Sequence, residues 1–133
     1  MPTTPSTGVR KLFEDPNLGH IATLMADGSP QVTPVWVDLA GDRIRINSAD
    51  GRTKVKNVRR DPRVAISIAA PGGYPSAYVR GHVVELTHEG ADEHIDALAK
   101  KYMGRVRYPL HRPDQQRVTI VIEPDHASSM MAD

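Results

Sequence analysis

The chain has 133 residues, 17 Lys and Arg against 16 Asp and Glu, 39% hydrophobic residues and no cysteine. That is chain enough for one core and one domain, and it excludes a disulfide framework, a Cys-ligated metal or iron–sulfur site and a thiol nucleophile. A net charge of +1 with 5% aromatic residues argues against a surface built to neutralise nucleic acid or an anionic membrane, or to stack single strands.

Residues 1–7, rich in Pro, Thr and Ser, read as a flexible arm ahead of a single domain over residues 8–133. They lack the basic and apolar regions of a secretory leader, and no apolar run approaches the ~20 residues of a membrane helix, so a cytoplasmic protein is expected. Val9, Leu12 and Phe13 share one face of a short helix that Asp15-Pro16 stops. From Leu18 the period becomes two. An apolar strand over Leu18–Met25 turns at residues 26–30, extended structure resumes over Gln31–Leu39, and Arg43–Asn47 alternates after a second turn at residues 40–42. These strands predict an antiparallel meander.

Gly51–Arg60 is helical in pattern, with Val55 and Val58 inward and Arg52, Lys56 and Arg60 outward; Asp61-Pro62 ends it. Val64, Ile66 and Ile68 alternate in the next strand. Residues 71–75 form a loop, and a strand over Tyr78–Leu86 carries the adjacent pair Val83 and Val84, which predicts a bulge. Gly90–Met103 is the strongest helix. Ile95, Leu98, Ala99 and Tyr102 form its apolar stripe, acids stand at its start, Lys100 and Lys101 at its end, and Gly104 after it. A basic, proline-broken loop over Arg105–Pro113 leads to a last strand with Val118, Ile120 and Ile122 on one face. Many short strands and few helices predict a mainly β fold, a small barrel rather than a doubly wound sheet. No Gly-x-Gly-x-x-Gly follows a strand, which argues against a Rossmann site.

The densest chemical feature is the run from Gly51 to Arg63, with six cations just after a strand ending in Asn47 and Ser48. A hydroxyl (Thr53), several cations and free N–H groups at a helix start suit a phosphate. A solvated basic helix face and a nucleic-acid patch are the alternatives, the latter weakened by the near-zero net charge. His82, His88 and His94 recur every six residues but fall on a strand, a turn and a helix, so no metal site is expected. Trp36 is a candidate for the core or for a pocket rim, and the loop with Tyr108, His111 and its arginines for a pocket wall.

The segment from Ala22 to Trp36, then Asn47-Ser48, then Gly51 to Val64, resembles the pyridoxamine-phosphate-oxidase-like split β-barrel superfamily. Within that superfamily it looks most like the branch that uses the deazaflavin F420, and residues 89–99 and the Lys101-to-Gly104 segment before a Tyr-Pro, Arg-Pro loop fit that branch. The resemblance spans about residues 9–124. It implies a split barrel, a homodimer with cofactor clefts at the subunit interface, and coenzyme F420 (alternatively FMN) as cofactor. It places the cofactor phosphate on Arg52, Thr53 and Lys54 with Lys56 nearby. The ring would lie along Thr33, Pro34, Val35 and Trp36, near Asn47 and Ser48, with Tyr78 and the Tyr108 loop approaching from the partner. Where pyridoxamine-phosphate oxidases proper carry an Arg-Lys pair, this chain has Thr53-Lys54, which favours the F420 branch. The implied activity is hydride transfer from F420H2 to a planar conjugated small molecule such as an enone, lactone or quinone-like compound; the alternatives are an FMN-dependent oxidoreductase of the same fold and a non-catalytic F420- or flavin-binding protein.

Overall fold

Ser6 accepts the backbone N–H of Val9 and opens helix α1 (Thr7–Glu14), which buries Val9, Leu12 and Phe13 as its spacing predicts. The structure is a computed structural model and describes residues 2–132. Within the segment read as an arm, Thr3 donates its N–H to the Pro124 carbonyl (2.8 Å) and Pro5 is buried. The helix therefore begins one residue ahead of the expected domain boundary.

Seven strands follow: β1 (Gly19–Leu24), β2 (Pro30–Val35), β3 (Val37–Ala40), β4 (Arg43–Ala49), β5 (Arg63–Ala69), β6 (Ser76–Thr87) and β7 (Arg117–Met130). Helix α2 (Thr53–Arg60) stands between β4 and β5, and α3 (Ala91–Met103) between β6 and β7. All pairings are antiparallel, in the order β2-β1-β5-β6-β7-β4-β3.

This order corrects the expected meander. The hairpins β1–β2 and β3–β4 form, but β2 and β3 lie on opposite edges of the sheet, and the extended run breaks at Trp36. In a flat sheet, six inter-strand steps of about 4.8 Å would hold those edges roughly 29 Å apart. One residue cannot span that, so the sheet curls until its edges meet, giving a split barrel closed covalently at Trp36. Pro30 and Pro34, which lack an N–H, sit on the edge strand β2, where no further partner needs one.

The barrel interior is filled by Ile21, Ile44, Ile46, Ile66, Ile68, Val79, Ile120 and Ile122, all nearly inaccessible, and α1 closes it with Phe13. The bulge expected at Val83 and Val84 is present as a register shift between Val83 and Glu85, and β6 carries a second one between Arg80 and Gly81. There β7 crosses so closely that a Cβ on Gly81 would run into the Glu123 carbonyl.

Helix α3 lies outside, against β7 and β4. It starts after Gly90 and ends at Gly104, whose N–H reaches the Ala99 and Lys100 carbonyls. Because α3 covers the outer face, Arg117, Thr119 and Val121 are buried as well as Val118, Ile120 and Ile122. The alternation expected for the last strand is therefore hidden. Lys101 does more than complement the helix dipole. Its Nζ donates to the Phe13 and Val37 carbonyls (2.5 Å each), pinning α1 and β3 to α3. Among the described residues no helix is long and apolar enough to cross a membrane.

Candidate functional site

A cleft of about 310 Å3 opens where the barrel closes. Its walls are Pro34, Val35 and Trp36 from the β2–β3 junction, Asn47 from β4, Ile95 and Leu98 from α3, and Tyr108 from the loop; Lys54 and Arg117 bring charge. Trp36 stacks on Tyr102 (centroids 5.3 Å apart, 8° between planes) and meets the edge of Tyr108 at 6.0 Å. The Tyr102 hydroxyl donates to the Asn17 carbonyl (2.7 Å) and accepts the Val37 N–H (3.0 Å), which fixes the ring behind Trp36. The Tyr108 loop is clamped to α3. Asp96 Oδ1 accepts the Tyr108 N–H at 2.8 Å and lies 2.7 Å from His111 Nε2.

The six cations of the basic run divide into two sets. Arg59 pairs with Asp50 (3.0 Å), Arg63 with Asp61 (2.7 Å), and Arg60 donates to the Leu24 carbonyl and Asn57 Oδ1. These three hold the surface together, as the solvated-face reading has it. Arg52, Lys54 and Lys56 have no carboxylate partner among the described residues, and Lys54 faces the cleft half-buried. Burial first, then the charges of Arg52 and Arg117, push the Lys54 ammonium down from its ordinary range. Burial also lowers Arg117; Tyr108 and Asp92 offset this in part, and Arg52 adds to it. Like charges crowded at a half-dry cleft are unfavourable alone, and an anion relieves them. Among the described residues the side-chain hydrogen bonds of Arg117, 8% exposed, go to neutral groups, with Nε on Asn47 Oδ1 (2.8 Å) and Nη1 on Gln115 Oε1 (3.1 Å).

Of the residues singled out in the sequence, Pro34, Val35, Trp36, Asn47 and Lys54 line the cleft together. Thr33 lies next to them on β2, and its Oγ1, like Gln31 Oε1, is buried with no hydrogen-bond partner. Ser48 is buried on β4 opposite Val118, on the interior face. Arg52 is the exposed residue before α2; Thr53 and Lys56 are exposed on that helix. Tyr78 is not in this cleft. It lies on β6 beside His126 (5.9 Å) in a separate depression with Ser67 and Ser128. Sequence reasoning missed Arg117, Ile95, Leu98 and His94. The available signals were a cation beginning an otherwise apolar strand and a histidine inside the stripe Ala91, Ile95, Leu98.

The histidines spaced every six residues do not converge. His82 pairs with Asp125, His88 with Asp50 and His94 with Asp38. No group of three His, Cys, Asp or Glu suited to a metal occurs among the described residues. Burial alone pushes the Asp38 carboxyl up, but hydrogen bonds from His94 and Arg45 outweigh it and hold it below the ordinary 3.8. A depressed carboxyl stabilises the fold fully above that ordinary value and loses the contribution as acid protonates it. Asp38→Asn should therefore flatten the acid limb of stability: its urea midpoint falls less than the parent's between about pH 4 and about pH 2.

Flat aromatic walls and cations without a carboxylate partner among the described residues, in one cleft, suit a ligand that is planar and apolar in one part and anionic in another. The comparisons with known proteins agree in kind. The chain belongs to the pyridoxamine 5'-phosphate oxidase family, whose profile matches residues 7–131. A solved structure named F420 reductase is 31% identical, with a TM-score of 0.82 over 94% of this chain and 98% of that one. A conserved hypothetical protein of Mycobacterium tuberculosis is 19% identical (TM-score 0.74; 96% of this chain, 85% of that one). HupZ of Group A Streptococcus is 21% identical (TM-score 0.68; 96% and 95%). The last two share the fold. The split barrel implied by the sequence is thus the family's fold, one that serves flavin- and F420-type oxidoreductases.

Proposed function

We propose that this protein is an F420H2-dependent oxidoreductase that reduces a planar conjugated small molecule of the enone, lactone or quinone-like class. The observation that carries the reading is the cleft, in which Lys54 and Arg117, without carboxylate partners among the described residues, share the lining with the Trp36 and Tyr108 rings, Arg117 lying over Tyr108 at 5.3 Å. The likeness to a protein named F420 reductase favours deazaflavin over FMN. In this reading Arg52, Lys54 and Arg117, with Thr53 and Lys56 at the rim, hold the cofactor's phosphodiester. Backbone from Thr33 to Trp36 borders its ring, and the unpartnered Thr33 Oγ1 offers it a hydrogen bond. When bound, the reduced cofactor supplies a hydride from its C5, and the protein's part is to orient that carbon and exclude water. Trp36, Leu98 and Ile95 provide the dry wall. A homodimer completes the unit, with Tyr78 of one protomer approaching its partner's cleft.

Trp36 is the only tryptophan, so tryptophan emission, excited selectively over the four tyrosines, reports this site alone. Anaerobic titration with F420 at micromolar concentrations should quench it strongly, with FMN competing weakly if at all. No change with F420 alongside tight FMN binding would overturn the cofactor assignment. Stopped-flow oxidation of the bound reduced cofactor by a panel of enones and quinones then tests turnover.

A further inference from the structure

A chain of polar contacts runs beneath α3 and ends in the cleft. Arg45 grips the Asp38 carboxylate through Nε and Nη2 at 3.0 and 2.8 Å. Asp38 Oδ1 lies 3.1 Å from His94 Nε2. His94 Nδ1 lies 3.1 Å from Asn47 Nδ2 and 3.2 Å from Thr119 Oγ1. Asn47 Nδ2 also donates to the Ala91 carbonyl (2.9 Å), and Asn47 Oδ1 accepts Arg117 Nε at 2.8 Å. His94 is 4% exposed, is not itself a lining residue of the cleft, and its hydrogen bond to that lining is the one to Asn47.

Each link determines the next. A carboxylate only accepts, so His94 carries its proton on Nε2 and presents Nδ1 as an acceptor. Two acceptors, Nδ1 and the Ala91 carbonyl, take the two hydrogens of the Asn47 amide. The amide oxygen must then face Arg117, where it satisfies Nε and turns the guanidinium across the Tyr108 ring (5.3 Å). A flipped amide would set NH2 against guanidinium, donor against donor.

We infer that His94 is a positioning residue for the anion site: its Nδ1 acceptor orients Asn47, and Asn47 aims Arg117 at the anionic group of the ligand. This rests on the reading of the cleft as an anion site. It assigns anion affinity to a buried residue that does not touch the ligand.

The two nitrogens of His94 can be mimicked separately. The Asn side chain places an acceptor as many bonds from Cα as Nδ1, and Gln places a donor as many bonds from Cα as Nε2. Wild type, His94→Asn and His94→Gln are each titrated with inorganic phosphate, following the Arg117 Nε–H resonance by NMR, and separately with F420; thermal melts establish that each is folded. The inference expects His94→Asn to keep phosphate affinity within about twofold, and His94→Gln to lose about tenfold together with the shifted, slowly exchanging Nε–H signal. Equal losses in both variants, no loss in either, or the reverse order overturns it, as does a wild type that gives no phosphate response. Should one variant fail to fold, Asn47→Leu supplies the second arm: it must lose the same Nε–H protection and affinity, and retention of both overturns the inference. F420 failing to bind while the phosphate pattern holds removes the cofactor assignment and leaves the role of His94 standing. F420 binding equally to all three, without the phosphate pattern, does the opposite.

Discussion

Lys54→Met is expected to weaken binding of the phosphate-bearing cofactor by roughly 10- to 100-fold while leaving the empty protein at least as stable as the parent. The size of the loss is that of one charge-assisted hydrogen bond, about 1.5–3 kcal/mol, at about 1.4 kcal/mol per tenfold. The opposite sign of the stability effect comes from the same geometry. Lys54 is half-buried and lowered by burial and by Arg52 and Arg117, with no carboxylate partner among the described residues, so its charge is a cost until an anion arrives. Methionine keeps the stem that packs against the cleft wall and drops the charge. Fluorescence titration through Trp36 reads the affinity, and a thermal melt without ligand reads the stability. A variant that melts lower and binds normally would mean that Lys54 is structural. The contrast with Arg63 is instructive: its partner Asp61, a partly exposed carboxyl lowered to about 2 chiefly by the Arg63 hydrogen bonds, already satisfies it.

Phe13→Ala should cost about 3–5 kcal/mol, the largest loss expected of any single truncation in this chain and a large share of the 5–15 kcal/mol typical of a domain. Phe13 is the only phenylalanine, is fully buried, and closes the barrel from α1. Nothing else can fill the space, because the neighbouring sheet residues are held by their ladders. Urea unfolding should show a lower midpoint with an unchanged slope, whereas Val106→Ala, at an exposed loop position, should change stability by less than about 0.5 kcal/mol. An equally mild effect for Phe13→Ala would mean that α1 does not seal the core. The substitution also reaches the cleft. Lys101 bonds both the Phe13 carbonyl and the Val37 carbonyl beside Trp36, so loosening α1 should broaden the Trp36 emission response to ligand.

The local physics of most elements was legible in the residues. Val9, Leu12 and Phe13 announce α1, Gly104 ends α3, and the pair Val83 and Val84 marks a true bulge. The expected continuous strand through Trp36 failed for a definite reason. Extended backbone on either side of a break has the same two-residue period, and nothing local reveals that β2 and β3 pair with opposite ends of one sheet. The site was half legible. Lys54, Asn47 and the Pro34–Trp36 segment stand close in sequence to the basic run or within the motif that carries the resemblance, whereas Arg117, far along the chain, joins them through the pairing of β7 with β4. Tyr78 and Tyr108 were both expected from the partner; Tyr108 instead lines this chain's own cleft, and Tyr78 lies outside it.

What the sequence determined by itself was the absence of cysteine, the mainly β character, the superfamily it resembles, and a local excess of cations hidden inside a net charge of +1. Only the tertiary structure decided which cations are free. Arg59, Arg60 and Arg63 find partners on β1, on α2 or in nearby turns, while Lys54 and the distant Arg117 are brought to one half-dry cleft with no carboxylate partner among the described residues. The reason is physical: composition and periodicity follow from neighbours along the chain, but whether a charge is neutralised depends on which strands the closing of the barrel places side by side.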